Sequence, residues 1–339
     1  MKKIIFIFFL LVILSAFLII TILSTTGIET KKFNNLISSK INQANNNINL
    51  KLTTIKFKIN IKDTSLFFET INPEINFKDS NIPAKKVKVY VDFISLIKSN
   101  PKIKKVNFVL NEIDVALLKE ISKNLKPSNF TSFVNNKIKQ GKINSELNFF
   151  FNNDNLLDNF IVRGTVLNYK AEIIKNVNLE KTNFSFFADK TDVLVKNFFG
   201  ETGPIKILDG DIKLKLSSEV SVNSDFKTYI KYTNEFKDYE NLLKNFKYFK
   251  NITNLEGNFN NSIFIDFDQT YKIKQYGYKN NGVIDKVDLD FKQNSENLFF
   301  KKKINKLSLI NSEIMSNFDL KKNNISVSGK YSLNESSLL

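Results

Sequence analysis

The sequence predicts a mostly β fold: a long antiparallel sheet with a few short helices and one apolar N-terminal helix. From Val87 to Leu110, apolar residues alternate with polar ones on both sides of a break at residues 99–101. This alternation is typical of two strands with one apolar and one solvated side. The same pattern recurs almost to the end of the chain. An uncharged run from Ile4 to Leu23 indicates the N-terminal helix.

The uncharged run has the length of a membrane span. At ~1.5 Å per residue, a helix over 4–23 is about 30 Å long, which matches the hydrocarbon core of a bilayer. The run is too long for a cleaved signal peptide, and no A-x-A-like site follows it. Lys2 and Lys3 precede it and favour a cytoplasmic N-terminus. We therefore predict a cytoplasmic tip at 1–3, a transmembrane anchor at 4–23 and the remainder in the periplasm.

The segment that follows, 24–46, is predicted to be a juxtamembrane amphipathic helix. Such a helix could lie on the bilayer surface or close the near end of a sheet. From 47 to 339 strand alternation dominates, so we predict one periplasmic β domain there. The apolar residues that recur at helical spacing within 24–46 are Phe33, Leu36, Ile37, Ile41 and Ala44.

Two helical patterns interrupt the strands. Between 111 and 140, apolar residues at helical spacing predict two short helices separated at Pro127. The second pattern consists of Tyr232, Phe236, Tyr239, Leu243 and Phe246. Both patterns predict helices that pack against the sheet.

Parity along the strands places a set of apolar residues on one side of the sheet. A sheet with one apolar face must bury it against helices, another sheet or a ligand. The predicted helices are too few to cover about eighteen strands of about five or six residues each. Two sheets could therefore form a sandwich, or one sheet could curl into a groove. The candidate residues are Val87, Val89, Val91, Phe93, Val106, Phe108, Leu110, Leu147, Phe149, Phe151, Ile212, Leu214, Leu216, Ile263, Ile265 and Phe267.

The composition argues against most catalytic chemistry. Cysteine and histidine are absent, which excludes disulfides, thiolate nucleophiles and a Ser-His-Asp triad. Carboxylates occur in pairs two residues apart, at Asp209/Asp211, Asp266/Asp268 and Asp288/Asp290. Each pair has the spacing expected on the solvated face of a strand, and Asp209-Gly210-Asp211 is interpreted as a turn. We predict no enzymatic activity, no cofactor and no metal site.

The net charge of +16 raises the question of an anionic partner. Nearly all of the basic residues are lysines, since Arg163 is the one arginine. No basic cluster is interleaved with aromatic residues as in RNA-binding modules. The charge is therefore attributed to a solvated surface, and we expect no nucleic-acid partner.

The order of these features resembles the AsmA-like family of Gram-negative envelope proteins, including the YhdP type. The segment VKVYVDFISLIKSNPKIKKVNFVLNEIDVALL resembles the family's hydrophobic strand, short turn, basic connection and following strand. GKINSELNFFFNNDNLLDNFIVRGTVLNYKAEI, from Gly141, is similar to its later strands that begin with glycine. NLEGNFNNSIFIDF, from Asn254, has the same character. The resemblance covers essentially the whole chain, and it consists of general sequence patterns and not of specific signature motifs.

The resemblance implies a U-shaped, repeating β-groove anchored in the inner membrane that moves phospholipid between the inner and outer membranes. The candidate apolar residues would then contact acyl chains, and an outer-membrane or other envelope protein would meet the far end. Because family members are usually longer, we expect a fragment of a longer protein or a short paralogue. The alternative is a structural or chaperone-like periplasmic protein that assists outer-membrane assembly and has a closed β-sandwich core.

Overall fold

The computed structural model describes residues 2–31, 34–35, 38–39, 42, 47–62, 65–92, 102–154, 156–216, 219–233, 235–236, 239, 251–268, 272–295 and 304–334. The chain is mostly β with antiparallel pairing, as the sequence predicted. Its elements are α1 (Lys2–Ser24), β1 (Ile28–Thr30), β2 (Ile48–Lys51), β3 (Ile55–Asn60), β4 (Ser65–Ile71), β5 (Glu74–Phe77), β6 (Ser80–Val91), β7 (Ile103–Leu110), β8 (Ile113–Asp114), α2 (Val115–Lys123), α3 (Asn129–Asn136), β9 (Ile138–Phe151), β10 (Leu157–Ile174), β11 (Val177–Asp189), β12 (Asp192–Thr202), β13 (Ile205–Leu216), β14 (Val220–Thr233), β15 (Ile252–Phe267), β16 (Ile273–Ser295), β17 (Ile304–Asp319) and β18 (Asn323–Leu333).

The N-terminal helix α1 is long and apolar enough to cross a membrane, and its side chains from Lys3 to Ser24 are not buried by the protein. The helix ends at Ser24, and the N–H of Gly27, three residues later, donates to the carbonyl oxygen of Ile22 at 2.8 Å. Gly27 has a φ of +75°, and a Cβ there would lie 2.7 Å from the carbonyl oxygen of Phe57. Glycine therefore permits both the left-handed exit and the close approach to β3.

The chain divides into two compact units, and the division falls inside the segment 47–339 that the sequence predicted as one domain. Unit 1 comprises residues 1–131 and 143–164. Its main sheet has the strand order β1-β3-β4-β6-β7-β9, all antiparallel. The first half of β6 pairs with β5, and β5 pairs with β2. Strand β6 is therefore shared between the main sheet and a small three-stranded sheet.

Unit 2 comprises residues 132–142 and 165–339. Strands β11 to β18 pair in chain order, and each is antiparallel to the next. Their lengths run from 11 residues in β18 to 23 in β16, so the short strands expected from the sequence are a wrong prediction for this unit.

Bulges explain the greater strand length. Register shifts occur at Lys181, Asn197 and Asn311, where φ is +49°, +53° and +47°. A bulge adds one residue to a strand and reverses the parity of its side chains, while pairing continues beyond it. In the sequence, the loss of alternation at each bulge resembles the end of a strand.

The two helices expected around Pro127 are confirmed as α2 and α3. Asp114 precedes α2 and caps it, because its carboxylate accepts a hydrogen bond from the N–H of Leu117 at 2.8 Å. Side-chain oxygens at this position satisfy N–H groups that have no partner within the helix.

The other helical predictions hold only in part. Within 24–46, Ile28–Thr30 forms β1 and pairs with β3, so this segment is not helical throughout. The described residues 34–35, 38–39 and 42, which follow β1, are helical. The segment's five apolar residues at helical spacing lie outside the described residues. Tyr232, the first member of the second pattern, lies in β14 opposite Leu255, because strand pairing continues to Thr233. Leu243 and Phe246 lie outside the described residues.

Candidate functional site

The pairing register places the candidate residues of unit 1 on one face of its main sheet. Val89 lies directly opposite Phe68 on one side and Val106 on the other, and Val106 lies opposite Phe149. Directly paired residues in an antiparallel sheet project to the same side. This unit-1 apolar face consists of Val87, Val89, Val91, Val106, Phe108, Leu110, Leu147, Phe149 and Phe151, whereas Phe93 lies outside the described residues.

Part of the unit-1 apolar face is covered by the protein itself. Val87 is buried in a cluster with Leu50, Ile75 and Ala84, to which the small three-stranded sheet contributes. Val89, Val106, Phe108 and Leu110 pack around this cluster. Leu147, Phe149 and Phe151 at the β9 side are half-buried.

The register also unites the candidate residues of unit 2. Leu214 lies opposite Val193 and Val222, and Val222 lies opposite Ile265. The polar neighbour Lys213 projects to the other side and is exposed. This unit-2 apolar face includes Ile212, Leu214, Leu216, Val222, Ile230, Leu255, Phe259, Ile263, Ile265, Phe267, Ile284, Val287, Leu309, Ile314, Ile325 and Val327.

Part of the unit-2 apolar face remains accessible. Its best-buried cluster is centred on Phe259, Ile284 and Val287, and all of its members belong to β14–β17. These strands are neighbours in one sheet, so among the described residues the cluster contains no side chain from an opposing layer. Leu216 and Val327 are 41% and 42% exposed. Large apolar side chains on one face of a sheet are thus left without a complete protein cover.

Aromatic rings run across several strands of unit 2. Phe184 stacks on Phe198 at 5.6 Å between centroids, and Phe198 meets Phe226 edge to face at 5.8 Å. Gly210 of β13 lies directly opposite Phe226, and a Cβ there would lie 2.3 Å from the Phe226 ring. The prediction of a turn at Asp209-Gly210-Asp211 is therefore wrong, since the glycine serves ring packing inside a strand.

Four polar residues, which we call the polar band, interrupt the unit-2 apolar face: Thr228, Asn261, Tyr278 and Asn280. Asn261 Oδ1 accepts hydrogen bonds from Tyr278 Oη and Asn280 Nδ2, each at 2.8 Å. Asn261 Nδ2 donates to Thr228 Oγ1 at 3.0 Å. Burial raises the pKa of Tyr278, so the phenol stays neutral. This band was not predicted from the sequence, although Asn261 shares parity with the candidate Ile263.

The opposite face of unit 1 carries a buried carboxylate among lysines. The side chain of Glu69 is 5% exposed, and its oxygens lie 3.3 Å from Lys58 Nζ, 3.7 Å from Lys88 Nζ and 4.0 Å from Lys86 Nζ. The three ammonium groups compensate the burial of the charge. This cluster was not predictable from the sequence, because its members come from three different strands.

The carboxylate pairs singled out in the sequence take part in cross-strand contacts. Asp211 pairs with Lys196, and Asp266 accepts a hydrogen bond from Gln275 at 2.6 Å. Asp288 accepts a hydrogen bond from Ser308 Oγ at 2.6 Å. In the part of the chain that the structure describes, no three acidic side chains are grouped so that they could hold a metal ion.

In comparisons with protein-family models, curated protein sequences and solved structures, no match to this chain was found. The features of the molecule that bear on its function are therefore the two apolar faces, the polar band and the N-terminal helix.

Proposed function

We propose that this protein is anchored in the inner membrane by α1, lies in the periplasm, and binds and conducts phospholipid between the inner and outer membranes. The observation that carries the proposal is the accessible unit-2 apolar face, on which Leu214, Val222 and Ile265 lie in register across neighbouring strands. Adjacent strands are about 4.8 Å apart, so such a face offers an acyl chain a new apolar contact at each strand.

The energetics favour lipid as the occupant of this face. Exposing a sixteen-carbon acyl chain to water costs about 13 kcal/mol at ~0.8 kcal/mol per methylene. A lipid that moves through the periplasm therefore needs a continuous apolar surface. The unit-2 apolar face supplies apolar contacts on both sides of the polar band, and an acyl chain bound there covers side chains that the protein leaves accessible.

The anchor and the resemblance to the AsmA-like family support the proposed location. The helix α1 has the length and composition of a membrane span. Lys2 and Lys3, at its N-terminal end, favour a cytoplasmic N-terminus. An outer-membrane or other envelope protein would accept lipid at the far end.

Unit 1 supports a second candidate, a structural or chaperone-like periplasmic protein. The buried cluster of Leu50, Ile75, Ala84 and Val87 shows that part of the unit-1 apolar face is closed by protein. If both apolar faces were covered by protein in this way, they would bind no lipid.

Lipid content and a matched pair of variants test the proposal. Val222 and Asn223 are consecutive in β14 and project to opposite sides, Val222 onto the unit-2 apolar face. The full chain, purified in a phospholipid-free detergent, should carry bound phospholipid. The amount bound should be strongly reduced in Val222→Lys and unchanged in Asn223→Lys. Phospholipid no higher than that of an unrelated single-span protein in the same detergent would contradict lipid conduction and favour the second candidate.

A further inference from the structure

The polar band lies within the apolar part of unit 2 and not at its margin. Asn261 is directly opposite Phe226 in β14 and Asn280 in β16. Along β15, Phe259 precedes Asn261 and Ile263 follows it on the same face. A lipid on the unit-2 apolar face would therefore meet hydrogen-bonding groups between two apolar regions.

The donors of the polar band are already used within the protein. Tyr278 Oη and Asn280 Nδ2 donate to Asn261 Oδ1, and Asn261 Nδ2 donates to Thr228 Oγ1. Thr228 Oγ1 donates to the carbonyl oxygen of Phe259 at 3.5 Å. The hydrogen-bonding capacity that remains in the band is therefore mainly that of acceptors.

Asn280 provides the clearest unfilled acceptor. The residue is 8% exposed, and its amide nitrogen donates to Asn261 Oδ1 and to the carbonyl oxygen of Asn260. Among the hydrogen bonds of the described residues, none reaches Asn280 Oδ1. This oxygen is not one of the buried polar atoms that lack a partner, so it stays open to water in the free protein. A ligand that brings a donor would replace that water and gain about one net hydrogen bond.

We propose that the polar band is a lipid subsite that accepts a hydrogen bond from an O–H or N–H group of the bound lipid. This inference rests on the proposed function and adds a preference to it. Phosphatidylethanolamine has ammonium N–H donors and phosphatidylglycerol has hydroxyl donors, whereas the trimethylammonium group of phosphatidylcholine has none. The first two should therefore bind better than the third.

Competition between lipids tests this preference on the full chain. The protein in detergent, stripped of lipid, is offered equal amounts of the three phospholipids with identical acyl chains, and native mass spectrometry counts each bound species. One net hydrogen bond corresponds to about a fivefold preference for phosphatidylethanolamine over phosphatidylcholine. Both lipids are zwitterionic, so net charge does not enter. The phosphatidylglycerol arm shows whether a hydroxyl group serves equally.

Single substitutions test whether the polar band causes the preference between lipids. Asn280→Leu should abolish it, whereas Asn281→Leu, on the exposed opposite side of β16, should retain it. Tyr278→Phe removes a donor to Asn261 Oδ1 and should therefore raise the preference for phosphatidylethanolamine over phosphatidylcholine. This variant tests the subsite if Asn280→Leu does not fold. Lipid binding to the wild type without preference, or no rise with Tyr278→Phe, would overturn the subsite and leave lipid conduction standing. No lipid binding to the wild type would overturn the proposed function itself.

Discussion

The ring of Phe149 meets the ring of Phe108 edge to face, with 5.8 Å between the ring centroids. Their strands, β9 and β7, are paired so that Leu147 lies directly opposite Phe108. The next residue, Phe150, projects to the other side of the sheet, where Lys105 Nζ lies 5.5 Å from its ring centroid. Consecutive phenylalanines in one strand thus belong to the apolar and the polar face of unit 1.

Phe149→Asp is expected to reduce bound phospholipid about tenfold while the protein stays folded. An ionised carboxylate is costly to place among acyl chains, but the half-buried site leaves it access to water in the lipid-free protein. Lipid phosphorus per protein and the thermal unfolding midpoint are measured together. Phe150→Asp, beside Lys105, is the control and should keep its lipid. A several kcal/mol loss of stability in Phe149→Asp would indicate a dry core instead.

Gly210→Ala is expected to destabilise the protein by about 1–3 kcal/mol, because the added methyl group would displace the Phe226 ring. Urea unfolding of the full chain in detergent measures the change. In the double variant with Phe226→Leu, the smaller side chain should recover part of the loss. Equal losses in the single and the double variant would show that ring packing is not the reason for glycine at this position.

Asp288 is expected to make stability depend on acid pH. Burial raises the pKa of Asp288, but hydrogen bonds from Ser308 and Lys286 lower it more, so the net shift is below the ordinary value. A carboxylate with a lowered pKa in the folded state stabilises the fold above its unfolded pKa of about 3.9, and this contribution is lost as pH falls through the folded pKa.

The comparison with Asp288→Asn tests this contribution. The wild type should be more stable than the variant at pH 7, and the difference should shrink as pH falls below about 4. Asp290→Asn, an exposed change in the same strand, should alter the free energy of unfolding by less than about 0.5 kcal/mol at pH 7. A wild-type advantage that is the same at pH 7 and pH 3 would show that Asp288 does not supply it.

The membrane topology is tested with reporter fusions. A periplasm-active reporter joined after Asn46, beyond α1, should be active, because the lysines before α1 favour a cytoplasmic N-terminus. The same reporter fused to the N-terminus of the chain should be inactive. Activity after Asn46 from a cytoplasm-active reporter alone would reverse the orientation and remove the basis for a periplasmic path.

The apolar faces were predictable from the sequence because they depend on the alternation of apolar and polar residues within each strand. Alternation fixes which side of a strand Val89, Val106 and Phe149 occupy, and antiparallel pairing preserves that side from strand to strand. The helix α1 was predictable for the same reason, since a long uncharged run needs no tertiary contact to be recognised.

The features that the sequence did not predict depend on contacts between distant residues. Gly210 was mistaken for part of a turn because its partner, the Phe226 ring, lies in the next strand. The asparagines of the polar band have the composition of a solvated surface, and only their parity with Ile263 and Tyr278 places them on the apolar face. Bulges such as the one at Asn311 reverse parity without a distinct sequence signal.

Photo-crosslinking from the apolar faces tests lipid conduction most directly. A photoreactive residue is introduced at positions 89, 149 and 214, with controls at 150 and 213 on the opposite sides, in the full chain in cells. We predict phospholipid adducts at 149 and 214, weaker capture at 89 beside the buried cluster, and none at the controls. Absence of lipid at all three face positions, in protein that is folded and membrane-anchored, would contradict the account.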